Sequence, residues 1–361
     1  MAKIKIAIAG GGTGGHLFPA LAIASEIESR VDAQLEFFGT AKGPEARIVP
    51  DKGYTFHPIW IKGFPRRLKP EIFLLPVKLL ISVIQCMRHL IRFWPDCLVA
   101  TGGYVCLPFM IAGRLLGIPI VLHEQNSLPG ITTKIGASWA KAVFYSFEKS
   151  ADYFKNHRDA SLSGNPARTD LGLKPKEDAL KELGLDVNKN TILVFGGSQG
   201  AATLNKAMLS VMSELFVRYN VIWGCGKGNV PSVIPPQAVV KEFFYDKGTV
   251  YCAADLAFTR AGAMTLAELA AVGLPAVLIP FPYAADDHQR LNAEPWAENG
   301  AAEMVLDKDF SGKVLLEKTQ NLLNDPEKLE NMSISAKSFH KPEAAKMIVD
   351  KVIYISERKT R

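Results

Sequence analysis

The sequence predicts an α/β protein of two Rossmann-like domains, each built on a doubly wound parallel sheet. Three observations carry this. Short, continuous apolar runs alternate with helical segments, the pattern of strands covered on both faces. The alternation stops at a polar, turn-rich stretch and then begins again. Each half also opens on the same unit of buried strand, glycine turn and helix, "IAIAGGGTGGHLFPALAIA" (6–24) and "ILVFGGSQGAATLN" (192–205).

The elements follow in order. "KIKIAIA" (3–9) is the first strand, and Pro19 is placed near the start of the helix "ALAIASEI", where its missing N–H costs little. "QLEFFGT" (34–40) is the second strand, "CLVATGG" (97–103) the third and "IPIVLHEQN" (118–126) the fourth, with the helix "LPFMIAGRLLG" between the last two. The polar stretch 156–190 holds a linker near Ser163–Arg168. The domains are accordingly expected at 1–164 and 165–361, with a last helix able to pack back on the N-terminal one. After the linker come "TILVFGGSQGA", "YNVIWGCG", "DLAFTRAGAMTLAELAAVG" and "LPAVLIPFP".

The 361 residues, 48% hydrophobic and 22% charged, suffice for two domains that each bury a core. Five cysteines without a C-x-x-C pair, and no cleavable apolar stretch after Lys3 and Lys5, suggest a reduced, cytosolic protein. A net charge of +6 favours anionic partners. Nucleic acid is disfavoured, because no basic run is interleaved with aromatics, and the tail "SERKTR" reads as a solvated end.

Gly10, Gly12 and Gly15 satisfy G-x-G-x-x-G, the spacing of a dinucleotide turn. That reading also needs an acid at the end of the second strand, which instead ends "FFGT", with Glu36 inside it. What remains is an anionic or hydroxyl-rich ligand at a helix N-terminus, with His16 either beside it or merely capping the helix. Five glycines in six residues expose backbone N–H groups. Gly196–Ala201 repeats the device and suits a pyrophosphate. A third turn precedes the helix at Ala263–Leu266, where Glu268 either accepts ribose hydroxyls or complements the helix dipole. In "DDHQRLN", Asp286, Asp287, His288, Gln289 and Asn292 lack a second histidine or cysteine at ligand spacing, so a polyol suits them better than a metal.

Taken together, "GGGTGGHLFPALAIA", "ATGGYVCLPFMIAGRLLGIPIVLHEQN", "SGNPAR", "GGSQGA" and "AGAMTLAELAAVGLP" resemble the bacterial MurG-type transferases of glycosyltransferase family 28, in the right order from Lys3 to Ala302. The resemblance implies a GT-B fold, two Rossmann-like domains facing a cleft. It implies inverting transfer of N-acetylglucosamine from UDP-GlcNAc to an undecaprenyl-linked muramoyl-pentapeptide, for peptidoglycan synthesis at the cytoplasmic face of the inner membrane. Neither a cofactor nor a metal is implied. It places donor contacts on Thr13, Gly14, Gly15, Asn126, Arg168, Ser198, Phe244, Ala263, Met264, Thr265, Leu266, Ala267, Glu268 and Gln289, and Tyr104 on the acceptor side. Three departures from the family pattern are His288 before Gln289, the bulky Phe244 and a longer loop before Asp286. The alternatives are a transferase with another acceptor and a non-catalytic UDP-sugar-binding subunit.

Residues 61–96 are the most apolar region, yet Lys78, Arg88 and Arg92 interrupt any membrane span. Lys78, Ser82, Gln85, His89 and Arg92 fall on one helical stripe, with aliphatic residues around the rest. Arg66, Arg67 and Lys69 flank it, so an interfacial helix with Phe73, Leu75 and Leu79 towards lipid is expected, against a helix packed on the sheet. Inverting displacement needs a general base at the acceptor side. His16 is favoured for that role, since histidine titrates near neutral pH, with Glu124 orienting it or the acceptor, or exchanging roles with it.

Overall fold

A computed structural model of the chain describes residues 3–61, 74–167, 171–197, 200–236, 238–244 and 246–359. The chain divides into two compact units, Met1–Ala167 with Lys341–Arg361, and Arg168–His340.

The first unit contains strands β1 (Ile4–Ala9), β2 (Ala33–Thr40), β3 (Thr55–Ile59), β4 (Cys97–Ala100), β5 (Ile120–Glu124), β6 (Ala142–Tyr145) and β7 (Ala160–Leu162). All pair in parallel, in the order β3-β2-β1-β4-β5-β6-β7. The strands alternate faces, as extended chain must. Ile6 and Ile8 of β1 join one core cluster with Leu17, Ile23 and Ile27 of α1 (Gly14–Arg30). Ala7 and Ala9 join the opposite cluster with Phe109 and Met110, which lie on α4. Helices α2 (Glu45–Asp51), α3 (Leu75–Phe93), α4 (Cys106–Leu115), α5 (Ile131–Ala137) and α6 (Ala151–Phe154) complete the crossovers.

The second unit contains β8 (Thr191–Phe195), β9 (Asn220–Gly224), β10 (Ala238–Lys241), β11 (Leu256–Thr259), β12 (Ala276–Leu278) and β13 (Ala302–Met304), parallel in the order β10-β9-β8-β11-β12-β13. Its helices are α7 (Lys176–Leu183), α8 (Ala202–Arg218), α9 (Lys247–Ala253), α10 (Ala263–Val272), α11 (His288–Glu298), α12 (Gly312–Leu323) and α13 (Pro326–Ser338). The last helix, α14 (Ala344–Lys359), belongs to the first unit, where Ile348, Val349 and Val352 enter the β1 core cluster.

Two expectations need correction. Helix α1 begins at Gly14, so Pro19 lies inside it rather than near its start. The amide that Pro19 lacks would have met the carbonyl of Gly15, an exposed residue, where water can take its place. Strand β3, "TFHPI", was not anticipated. It is a polar edge strand whose Pro58 is tolerated there because an edge needs no second row of donors.

Both sheets reverse strand order once, between β1 and β4 and between β8 and β11. In open α/β sheets ligands bind beyond the carboxyl ends of the strands at such points. The glycine turns after β1 and β8 both begin there.

Candidate active site

In the first unit three loops meet at the switch point: 10–13 after β1, 101–105 after β4 and 125–130 after β5. His16 sits in the first turn of α1, and its Nδ1 faces two oxygens, Gln125 Oε1 at 2.8 Å and the Thr101 carbonyl at 3.1 Å. No hydrogen bond to Nε2 is found among the described residues, and the ring is half-buried. Gly102 is required beneath it: φ is +97° and a Cβ there would stand 2.8 Å from His16 Nδ1. Tyr104 stands against Gly12, where a Cβ would meet its ring at 2.9 Å.

Gln125 continues inward. Its Nε2 donates to His123 Nδ1 at 2.8 Å and lies 3.2 Å from the His123 carbonyl. His123 is fully buried and its Nε2 donates to the Gly164 carbonyl at 3.1 Å. Burial, above all, pushes its pKa down to about 4, with the nearby His16 acting in the same direction.

Glu124 does not touch His16. Its Oε1 accepts from the Asn126 backbone at 3.0 Å and from Asn126 Nδ2 at 3.3 Å, and its Oε2 from the Gly130 N–H at 3.3 Å, so it holds the loop after β5 closed. Alternation along β5 explains this, since His123 and Gln125 share one face and Glu124 takes the other.

Glu45 belongs to no motif of the sequence. This buried carboxylate accepts from Gly12 N–H at 3.0 Å and from Thr40 N–H and Oγ1, each at 2.8 Å. The Gly12 N–H is therefore already committed, and the first glycine turn offers fewer free donors than its composition suggested. Thr13, the N-cap of α1, makes no side-chain capping bond, and Gly14 and Gly15 open the helix.

In the second unit Gly262 is the N-cap of α10, with no side-chain cap, so the first N–H groups of Ala263, Met264 and Thr265 lack that partner. Further along, Leu266 and Ala267 precede Glu268, which is buried on the helix's inner side. Its carboxylate accepts from Lys247 Nζ at 2.8 and 3.1 Å and from Tyr251 Oη at 2.7 Å. Phe244 is buried beside Gly224. Gln289 Oε1 accepts from the Phe281 N–H at 2.9 Å, whereas His288 Nδ1 turns to the Ala285 carbonyl at 2.7 Å. Asn292 is fully buried against the Ala261 carbonyl, and Asp287 pairs with Arg290, so neither stands as a free polyol contact of the kind its spacing suggested. Arg168 and Ser198 lie outside the described residues. Among the described residues no group of three or more His, Cys, Asp or Glu side chains stands at metal-holding geometry.

Helix α3 turns most of its polar stripe inward and leaves an aliphatic side outside. Ser82 is buried and bonds the Trp60 carbonyl, Gln85 accepts from the Trp60 N–H, and His89 stacks on His57, so those polar residues face the protein. Val77, Leu80, Ile84 and Ile91 are about half exposed or more (52, 61, 49 and 53%), with Arg88 and Arg92 among them. Leu79 packs on the core, Leu75 is half-buried, and Phe73 with Arg66, Arg67 and Lys69 lies outside the described residues. No described helix is long and apolar enough to cross a membrane.

Comparison with known proteins decides the family. Residues 6–145 match the glycosyltransferase family 28 N-terminal domain and residues 191–348 its C-terminal domain. The chain belongs to glycosyltransferase family 28. It is 39% identical to the UDP-N-acetylglucosamine–N-acetylmuramyl-(pentapeptide) pyrophosphoryl-undecaprenol N-acetylglucosamine transferase of Desulfitobacterium hafniense (strain Y51), across 96% of this chain and 98% of that one. The crystal structure of Acinetobacter baumannii MurG superposes with a TM-score of 0.75 at 30% identity, covering 98% of this chain and all of that one. The calicheamicin glycosyltransferase CalG4, at 16% identity and a TM-score of 0.70 over 99% of each chain, shares the fold alone. This family 28 chain is thus a glycosyltransferase of GT-B architecture, with one doubly wound sheet per unit.

Proposed function

We propose that the protein transfers N-acetylglucosamine, with inversion, from UDP-GlcNAc to the C4 hydroxyl of undecaprenyl-pyrophosphoryl-muramoyl-pentapeptide, converting lipid I to lipid II in peptidoglycan synthesis. The observation that carries the mechanism is His16 at the sheet's switch point, its Nδ1 tied to protein oxygens and its Nε2 left to accept a proton. In the reaction the C4–OH proton passes to Nε2 while the hydroxyl oxygen forms a bond to the anomeric carbon. The bond from that carbon to UDP breaks in the same step, and UDP leaves as an anion.

The donor is assigned to the second unit. Phe244 packs on the uracil, the open N–H groups at the start of α10 face the sugar and pyrophosphate, and Gln289 meets the hexose. Lys247 and Tyr251 use part of the Glu268 carboxylate, whose remaining lone pairs accept the ribose hydroxyls. The resemblance also counts Thr13, Gly14, Gly15 and Asn126 among the donor contacts and puts Tyr104 on the acceptor side. Arg168 and Ser198 join the donor set by resemblance. The apolar face of α3, with its two arginines, seats the protein peripherally on the anionic cytoplasmic leaflet, where the lipid-linked acceptor resides.

Purified protein, supplied with a short-chain lipid-linked acceptor and UDP-GlcNAc, UDP-GalNAc or UDP-glucose in turn, is expected to use UDP-GlcNAc. His16→Ala should lower kcat by roughly 10²–10⁴ with little change in the UDP-GlcNAc KM. Glu268→Gln should instead raise that KM, by an amount equivalent to about 1.5–3 kcal/mol. Near-normal turnover by His16→Ala, together with its abolition by Glu124→Gln, would reverse the assignment of the base.

A further inference from the structure

We propose that Gln125, backed by His123, is a positioning residue that fixes the tautomer of His16, so that Nε2 is the nitrogen left to take the acceptor proton. The proposal rests on the base role given to His16 above.

The polarity of the hydrogen-bond chain can be read from its end. The Gly164 carbonyl, 3.1 Å away, can only accept, and the Ser146 hydroxyl, 3.2 Å away, gives its proton to the Glu124 carbonyl, so His123 Nε2 carries the proton of that ring. A neutral ring then offers a lone pair at Nδ1, and Gln125 Nε2 donates to it at 2.8 Å. The orientation of the amide is fixed a second time, because the same Nε2 lies 3.2 Å from the His123 carbonyl, where an amide oxygen would face another oxygen. Gln125 Oε1 is thereby turned to His16 Nδ1 at 2.8 Å. The Thr101 carbonyl, 3.1 Å from the same nitrogen, is also an acceptor only. A lone pair on Nδ1 would face two oxygens, so the proton sits on Nδ1 and the lone pair on Nε2.

The choice of an amide matters. A carboxylate 2.8 Å from the ring would stabilise its protonated form and leave less of it free to take a proton near neutral pH, whereas a carboxamide orients the ring without adding charge. Gln125 is itself buried, and Gly102 keeps the space between the two side chains free of a Cβ.

Protein labelled with ¹⁵N at its histidines reports ring tautomers directly. His16 should appear at pH 8 with its proton on Nδ1, and His123 with its proton on Nε2. Gln125→Leu should give a mixed His16 tautomer and lower kcat by about 10- to 100-fold at unchanged UDP-GlcNAc KM. That is less than the ~10⁴ of a fully lost tautomer, because the Thr101 carbonyl remains. Gln125→Glu should keep the tautomer but move the acidic limb of the kcat–pH profile up by roughly 1–3 pH units. A wild-type His16 protonated on Nε2, or an acidic limb that Gln125→Glu leaves in place, overturns the proposal. The tautomer is read on the resting protein. It therefore stands or falls separately from the base assignment, which His16→Ala tests on its own.

Discussion

At the scale of single residues, the first unit's site is a buried polar line laid behind one half-buried ring. Its most costly member is His123, fully buried and held neutral with a pKa near 4 against an ordinary 6.5. The unfolded chain binds a proton at His123 below pH 6.5 and the folded chain does not until about pH 4. Between those values the unfolded state therefore holds more protons, and folding stability falls as the pH falls. Above pH 6.5 the group carries no penalty, and below pH 4 the penalty is complete, on the order of 3 kcal/mol. Urea unfolding of the wild type at pH 7 and pH 4.5 should show this loss, and His123→Asn, which cannot titrate, should show a smaller one. Equal pH slopes in the two proteins would mean that His123 titrates normally. The charged neighbour in "HEQN" drew the sequence reading to Glu124, yet strand alternation already placed His123 and Gln125 on one face and Glu124 on the other. Glu45 was not legible at all, because its bond to Gly12 joins residues 33 apart and depends on β2 and α2 being folded.

At the scale of elements, most strands and helices could be read from apolar runs and glycine turns, and the misses fall where tertiary context overrides local pattern. Edge strand β3 mixes polar residues with a proline, so no periodicity marks it. In α3 the stripe itself is legible, but which aliphatic residues face outward is not: Leu79, expected towards lipid, packs on the core. Here Ser82, Gln85 and His89 satisfy the backbone of Trp60 and the ring of His57, and the aliphatic side is left outside. Four aliphatic side chains, each about half exposed, have roughly 3–5 kcal/mol still to gain from complete burial. Val77→Ser, Leu80→Ser and Ile84→Ser combined should therefore lower partitioning onto anionic vesicles by at least about tenfold while leaving the melting temperature nearly unchanged. The contrast is Leu90→Ala, at a fully buried position of the same helix, which should cost about 2–5 kcal/mol of stability. A triple variant that melts early and binds vesicles normally would place the aliphatic face against protein. Raising the salt should detach the wild type in part, through the shared screening of Arg88 and Arg92.

At the scale of the whole molecule, the chain leaves its first unit at Ala167 and re-enters it at Lys341. The return is written into "AAKMIVDKVIYISERK", where Ala345, Ile348, Val349, Val352 and Ser356 recur at helical spacing and are all buried. The sequence shows that such a face must be covered and allows the helix to pack back on the N-terminal domain, but does not require it, since both units offer doubly wound sheets of the same kind. The packing answers it. Ile348, Val349 and Val352 share a cluster with Ile6 and Ile8 of β1, Leu17 and Ile27 of α1, and Val121 of β5, and Arg30 of α1 pairs with Asp350 at 2.5 Å. The last turns of the chain are thus part of the core that supports the strand from which the His16 loop springs. Ile348→Ala removes atoms from a position with no exposed surface and should cost about 2–5 kcal/mol. Native-state hydrogen exchange locates the loss: amides of β1, α1 and β5 should exchange faster in Ile348→Ala, while those of β8 and α8 keep their wild-type protection. Faster exchange throughout β8 and α8 to the same degree would mean that the two units unfold as one, and the assignment of α14 to the first unit's stability alone would fall.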